Sequence, residues 1–179
     1  SAIVGGTSAL DMNSRFDRYV EELFRQEVSA NTITLHYTVK DPESYGIQNP
    51  PVSCRYAGTD SALICASAEN ALASLHQFKR NKLSDYNKLT YDILEHSYTS
   101  SLEMGPYLLY EEPLTPLTGT QAQLPILLSE YRFYNTDDID TYLKLLTTIP
   151  DYFQSILTFE KPRNAEIMPI NMAFWKISA

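Results

Sequence analysis

The sequence predicts an all-α fold: a single domain built as an irregular bundle of about five to six helices with extended connecting segments. Three observations lead to this prediction. Apolar residues recur three and four positions apart through most of the chain, which is the spacing of one helix face. The chain has only six glycines, too few for the many tight turns of a β-sandwich or barrel. At 179 residues it is long enough to bury the core of one domain.

The first helix is predicted to begin at Ser14, because Asp17 follows three positions later as in a capping box. Residues 1–12 are predicted to be a disordered lead-in. The helical domain is then expected to span residues 13–161. One face of the first helix carries an apolar stripe formed by Phe16, Tyr19, Val20, Leu23 and Phe24.

Residues 31–37 show a different pattern, in which apolar and polar side chains alternate. The alternation fits one short strand or an extended segment packed on helices, and the extended form is preferred because no second strand lies nearby. Pro42 and Gly46 bracket a predicted helical turn, since proline favours the first helical position and glycine the exit. Pro50 and Pro51 then enforce an irregular connection.

Two longer helices are predicted next, over residues 61–82 and from a cap at Ser84 to a stop at Gly105. Because only a residue or two joins them, we expect an antiparallel or sharply angled hairpin. The remaining helices are predicted over residues 121–131, from a cap at Asn135 or Thr136, and from Pro150 to Lys161. The helix that starts at Ser84 has its predicted apolar positions at Tyr86, Leu89, Ile93, Leu94 and Tyr98. The helix that starts at Asn135 or Thr136 has them at Ile139, Tyr142, Leu143 and Leu146.

Composition excludes two classes of function. The formal charge of −8 argues against nucleic-acid binding, which rewards clustered Lys and Arg. No apolar run approaches the ~20 residues needed to span a bilayer. The thirteen tyrosines suit helix packing or a surface that meets another molecule. Cys54 and Cys65, the two cysteines, are compatible with one disulfide, but free thiols are preferred, with Cys65 buried in a helix.

Residues of the types that perform catalysis are few in this sequence. No two of His36, His76 and His96 stand four positions apart, so the sequence has no helical zinc pair. A hydrogen-bonded structural role is favoured for His36 and a partly exposed helical position for His76, while Glu95 and His96 stand in the reverse order of a His-Glu metal helix. Asp137, Asp138 and Asp140 lack the glycine and the closing glutamate of a calcium loop, and helix-dipole stabilisation explains them more simply. The sequence therefore predicts no catalytic residue, no metal ligand and no cofactor.

Two weaker site hypotheses remain. Gly119 and Gln121 open a predicted helix and could present free amides to an anion, although glycine at such a place more often permits a turn. An independent hydrolase activity would require one pocket to gather at least two of a set of polar side chains, and scattered positions would end that idea. The set is His36, His76, His96, Glu95 and Glu130.

Five segments in succession resemble the N-terminal region of the bacterial domain-of-unknown-function family 885. The residues that carry this resemblance are 16–19 with 22–24, 34–38 with 41–47, 83–84 with 91–94, 119–131, and Asp138 with Tyr142, Leu143, Leu145, Leu146, Tyr152 and Phe153. The resemblance covers roughly residues 14–161. It implies a helical protein that continues to a His-Glu-x-x-His zinc motif and acts as a metallopeptidase, in which the N-terminal helices wall or cover a substrate cleft.

This chain contains no His-Glu-x-x-His motif, so the zinc ligands and catalytic glutamate of that family cannot be assigned to any residue here. The resemblance also ends after Lys161, and residues 162–179 are predicted to be a divergent C-terminal tail. A shortened reading frame or a natural truncation would explain this ending.

The sequence therefore predicts a non-catalytic N-terminal helical module, truncated or split, of a zinc metallopeptidase-like protein. Its expected partner is a complementary catalytic half or another copy of the chain. The alternative is a stand-alone peptide- or protein-binding module with a tyrosine-lined groove. The chain opens without methionine, from which we expect a processed N-terminus and a place outside the cell or on its surface, with the cytoplasm as the alternative.

Overall fold

The computed structural model describes residues 4–54 and 60–166, with side chains described for residues 11–54 and 60–165. The chain is 75% helical, and the described residues contain no strand, which confirms the all-α prediction. The α-helices are α1 (Val4–Ser29), α2 (Thr32–Thr38), α3 (Ser61–Leu75), α4 (Asp85–Met104), α5 (Thr120–Ser129) and α6 (Thr136–Glu166). Short 3₁₀ helices lie at Glu43–Tyr45, Arg80–Lys82 and Gly105–Tyr110.

The helices divide into two compact units. Among the described residues, unit 1 comprises 4–26 and 60–106, and it contains most of α1 with α3 and α4. Unit 2 comprises 27–54 and 107–166, and it contains α2, α5 and α6. Each unit has its own buried apolar cluster, which is the property that makes it compact.

The core of unit 1 joins three helices and the turn between two of them. Its buried side chains are Phe16, Leu75, Phe78, Leu83 and Tyr91. α3 and α4 run antiparallel, since Cys65 lies near Leu102 while His76 contacts Glu95. The predicted hairpin is confirmed, but α3 ends at Leu75 rather than at residue 82. The chain turns there, and Phe78 packs edge-on against Phe16 with ring centroids 5.2 Å apart.

α1 begins at Val4 rather than at Ser14, so the lead-in predicted over residues 1–12 overlaps the first turns of this helix. Tertiary contacts also reach one position upstream of Ser14, to Asn13. Asn13 accepts hydrogen bonds from the backbone N–H of Ser84 (2.8 Å) and from the Asn87 side chain (3.2 Å). Asp17, read from the sequence as a capping residue, accepts a 2.7 Å hydrogen bond from the same Asn87 amide.

α2 corrects the prediction of an extended segment at residues 31–37. Asn31 caps this helix, because its Oδ1 accepts hydrogen bonds from the N–H groups of Ile33 (2.9 Å) and Thr34 (3.2 Å). Alternation does not describe one helix face, since residues two apart lie about 160° apart around the axis, yet Thr32, Ile33 and Leu35 are all buried in this helix. The cap therefore decides the conformation. The predicted turn after it is confirmed as the Glu43–Tyr45 helix, which exits through Gly46 at φ 72°.

α6 is one continuous helix, although a new helix was predicted to start at Pro150. Asn135 and Asp138 cap its start reciprocally: each backbone N–H donates to the other's side chain, at 3.1 and 3.0 Å. Pro150 and Pro162 lie inside the helix. Burial of Leu145 before Pro150 and of Ile156 after it favours one helix over two, despite the backbone hydrogen bond that each proline removes.

The buried face of α6 is formed by Leu145, Ile149, Tyr152, Ile156 and Phe159. The face predicted from the sequence was Ile139, Tyr142, Leu143 and Leu146, and three of these four residues are exposed. The helix continues through residues 162–166, the start of the predicted tail, while residues 167–179 lie outside the described part.

Both cysteines are free thiols, in agreement with the preferred interpretation. Cys65 lies in α3 as predicted, but it is partly exposed, and Cys54 is the buried one. Among the described residues, no helix combines the length and the apolar character that crossing a membrane would require.

Candidate functional site

A cleft of about 810 Å³ opens within unit 2, and we call it the His36 cleft. Its volume falls in the range that small-molecule and peptide sites occupy. Apolar side chains of Leu35, Val39, Ile47 and Val52 line its floor. Its polar lining includes Lys40, Asp41, Glu43, Gln48, Asn49, Asn135, Asp138 and Lys144.

Stacked aromatic rings form one wall of the cleft. The imidazole of His36 stacks on the ring of Tyr131, with centroids 3.7 Å apart and planes inclined by 11°. Tyr131 is buried, whereas Tyr134, whose centroid lies 5.8 Å from that of His36, is 64% exposed. An exposed ring beside a rigid stack offers a ligand a large apolar contact at little entropic cost.

His36 is held in one orientation and one protonation state. Its Nε2 accepts a hydrogen bond from the backbone N–H of Arg132 at 3.3 Å, so the proton of the neutral ring resides on Nδ1. Burial lowers the pKa of His36, and the negative charge of Asp138 opposes that shift only in part. At neutral pH the ring is therefore uncharged and has a donor at Nδ1.

The walls of the cleft are fixed by hydrogen bonds between segments far apart in sequence. The Asn31 side chain donates to the carbonyl of Cys54 at 3.1 Å. Thr32 and Ser53 exchange two further hydrogen bonds, of 2.8 and 2.9 Å. The carboxylate of Asp138 is already engaged, since it accepts from the backbone N–H of Tyr134 at 2.7 Å. These contacts make the cleft a preformed site.

The chemistry of the cleft suits binding better than catalysis. Its charged groups comprise three acids and two lysines, so the lining carries no strong charge of one sign. His36 uses Nε2 as an acceptor of a backbone N–H, which leaves that nitrogen unable to take a proton from a substrate. Across the described residues, no three His, Cys, Asp or Glu side chains come together as a potential metal site.

The histidines of unit 1 lie closer together than their positions in the sequence indicated. His76, Glu95 and His96 line one shallow cleft of about 410 Å³. A hydrolase activity would require at least two of the five polar side chains named above in one pocket, and this cleft meets that requirement. His76 Nε2 lies 2.8 Å from Glu95 Oε1, but both side chains are about half exposed. Asp92 at the same cleft binds the Arg80 guanidinium through both oxygens. Solvent-exposed contacts such as His76–Glu95 and Arg80–Asp92 are ordinary on protein surfaces.

Gly119 and Gln121 have structural contacts. Gly119 N–H donates to the Thr115 carbonyl at 3.0 Å, and Thr120 N–H donates to that of Pro113 at 2.9 Å. The Gln121 side chain also donates to the Thr115 carbonyl, at 2.6 Å. A Cβ on Gly119 would overlap Thr115, so glycine is needed here for the close approach of the loop. Two amides that an anion would need are thus occupied by loop carbonyls.

α4 is apolar on two opposite faces. One face, with Tyr91 buried and Leu94 and Tyr98 partly buried, packs in the core of unit 1. On the other side, Tyr86, Leu89, Ile93 and Met104 are 79, 60, 59 and 61% exposed. At ~100° per residue these four side chains lie within about 60° of one another around the axis. We call this set the α4 outer face.

Comparison of the chain with protein-family models, with curated proteins and with solved structures found no match. The resemblance to family 885 thus stays a prediction made from the sequence.

The sequence contained a signal for the α4 outer face that the prediction did not use. The apolar positions of this helix, taken together as one stripe, span both faces. Leu94 and Tyr98 lie roughly 80–140° away from Tyr86 and Ile93 around the helix axis, a width that one core-facing stripe does not need. The His36 cleft had no such signal, because His36 and Tyr131 meet only through the tertiary fold.

Proposed function

We propose that the chain is a non-catalytic helical module of a zinc metallopeptidase-like protein, and that the α4 outer face binds the complementary catalytic half. The α4 outer face is the observation that supports this proposal. Unit 1 buries its own core with the opposite side of α4, so the outer face contributes nothing to that core. Burying a side chain of this size stabilises a complex by about 1.5–3 kcal/mol.

The form of the outer face suits a helical partner. Ser97 and Ser100 lie between Ile93 and Met104 on the same side of the helix, and small side chains let another helix approach closely. Contiguous exposed apolar surface of this kind marks interaction sites more often than chance. The resemblance to family 885 motivates this choice of partner, since it implies a catalytic portion with a His-Glu-x-x-His motif, and these 179 residues contain no such motif.

The experiment begins at the gene. The DNA that follows the codon for Ala179 is sequenced and searched for a reading frame with a His-Glu-x-x-His helix. That frame is then co-expressed with the full chain, and complex formation is measured by analytical ultracentrifugation. The proposal predicts a one-to-one complex that Leu89→Lys or Ile93→Lys weakens by at least ~100-fold, because a charge replaces a buried side chain.

Leu117→Lys is the matched control, because Leu117 is 82% exposed in a loop and lies outside the α4 outer face. It is expected to leave the complex intact. A complex that all three variants weaken equally would mean that added charge, and not the outer face, controls binding. No complex at any concentration would refute the proposal.

A second candidate function is supported by the His36 cleft: binding of a short extended peptide that stacks an aromatic or arginine side chain on the aromatic wall. The exposed ring of Tyr134 and the free Nδ1–H donor of His36 favour it. A peptide library is screened by fluorescence polarisation, and the peptides that bind are retested on Tyr134→Ala. Tyr86→Ala in unit 1 is the control. Binding that Tyr134→Ala does not change, or no binding at submillimolar concentrations, would exclude this function.

A further inference from the structure

α6 carries an apolar stripe that faces solvent along most of its length. It is formed by Ile139, Leu143, Leu146, Pro150 and Leu157, and we call it the α6 stripe. Its aliphatic members other than Pro150 are 45, 56, 37 and 52% exposed, in sequence order. The fully buried Leu145 lies on the face that packs in the core of unit 2. The stripe therefore does not contribute to the core of unit 2.

The spacing of the stripe is the heptad spacing of paired helices. Its members follow one another by four, three, four and seven positions, and Phe153, partly buried, occupies the one position that would otherwise be missing. This 3.5-residue repeat is what two helices need to keep one seam in contact. From Ile139 to Leu157 the seam is about 27 Å long at ~1.5 Å per residue.

The seam is complementary to itself when two copies run antiparallel. In one register Ile139 of each copy lies opposite Leu157 of the other. The same register places the other four positions of the seam opposite one another in two further pairs. Those further pairs are Leu143 with Phe153 and Leu146 with Pro150. A two-fold axis near residue 148 generates every pair, which is the isologous contact that most homodimers use.

The charges of α6 favour the antiparallel over the parallel arrangement. The first turns of α6 carry Asp137, Asp138 and Asp140, and parallel pairing would place two such acidic ends side by side. Antiparallel pairing separates them by the length of the helix.

We infer that the α6 stripe binds the α6 stripe of a second copy of this chain, with the two helices antiparallel and Ile139 opposite Leu157. This inference does not depend on the proposed function, which uses the α4 outer face in the other unit. A single helical seam buries less than the ~1,200 Å² typical of stable complexes, so the dimer is expected to dissociate at a concentration on the order of 10 µM.

The first test is sedimentation equilibrium of the full chain over a range of concentrations. Wild type is expected to pass from monomer to dimer, and Leu143→Lys to stay monomeric, with association at least ~100-fold weaker because each substitution enters the seam twice. Leu89→Lys, on α4, is the control and is expected to dimerise normally. Circular dichroism checks that each variant keeps its helix content. A wild-type chain that stays monomeric ~100-fold above the expected dissociation constant would overturn the inference.

The second test determines orientation. Asp140 and Gln154 are exposed on the same flank of the stripe, and antiparallel pairing brings Asp140 of one copy near Gln154 of the other. Asp140→Cys and Gln154→Cys are made separately, mixed, and treated with a short bismaleimide. The inference predicts a covalent dimer in the mixture that neither variant gives alone. Cross-linking of each variant with itself, but not with the other, would refute the antiparallel arrangement, and wild type controls for Cys54 and Cys65.

Discussion

Replacement of Asn31 by alanine tests how unit 2 holds the His36 cleft. The side chain makes three hydrogen bonds: its Oδ1 caps α2 by accepting from Ile33 and Thr34, and its Nδ2 donates to the Cys54 carbonyl. Loss of an asparagine cap costs about 1 kcal/mol. Loss of the donor to a part-buried carbonyl costs about 1 kcal/mol more. The Asn31→Ala variant should therefore lose about 2 kcal/mol of stability in this region.

The assay is native-state hydrogen exchange of the peptide that covers α2. A loss of about 2 kcal/mol makes opening ~30-fold more frequent, and the exchange of the α2 amides accelerates by the same factor. Peptides from α3 and α4, which belong to unit 1, provide the internal control and are expected to exchange as in wild type.

Asn31→Asp separates the two contributions. Aspartate keeps the capping oxygen and adds a favourable charge at the helix N-terminus, but it cannot donate to Cys54. We expect it to cost no more than about 1 kcal/mol. If Asn31→Asp were as damaging as Asn31→Ala, or if Asn31→Ala left α2 exchange unchanged, the cap would not be what makes this segment helical.

Three further predictions concern packing, a buried charge and pH. Leu145 is fully buried while Leu143 is 56% exposed, so Leu145→Ala should cost about 2–5 kcal/mol and Leu143→Ala less than ~0.5 kcal/mol in urea unfolding of the dilute chain. Arg163 is 11% exposed and pairs with Glu160 and Glu112, so Arg163→Ala should cost about 3 kcal/mol by the same assay, whereas Glu112→Ala, whose side chain is 58% exposed, should cost less than ~1 kcal/mol. Because burial lowers the pKa of His36 below 6.5, the unfolded chain binds a proton first as the pH falls, and the free energy of unfolding should decrease from about pH 6.5 downward. His36→Gln should lack that part of the decrease, and an unchanged pH dependence would contradict it.

Local signals in the sequence predicted the ends of several helices correctly. Ser84 caps α4 by accepting from the N–H of Asn87 at 3.3 Å, and Asn135 caps α6. Gly46 ends the short helix before it in a left-handed conformation. Each of these ends depends on contacts within a few residues, which a single sequence contains.

The errors have tertiary causes. Asn13 in α1 contacts Ser84, 71 positions away, and no capping rule anticipates such a contact. Pro150 stays inside α6 because side chains on both of its flanks are buried on one face. The face of α6 was misplaced for a related reason: periodicity finds an apolar face but does not show which of two faces the core covers.

The candidate sites also differ in whether the sequence alone could reveal them. The His36 cleft assembles residues from α2, from the turn after it and from the start of α6, so spacing along the chain could not reveal it. The α4 outer face and the α6 stripe are different, because both are periodic and both could have been recognised as second faces. Helices with two apolar faces indicate a surface meant to be covered.

Sedimentation of the full chain together with the His-Glu-x-x-His segment encoded at its own locus tests directly whether the α4 outer face binds a catalytic half. We expect a one-to-one complex that wild type and Leu117→Lys form and that Leu89→Lys does not. A locus without such a segment, or a segment that leaves the chain's sedimentation unchanged, would contradict the claim that the chain is the non-catalytic part of a metallopeptidase-like protein.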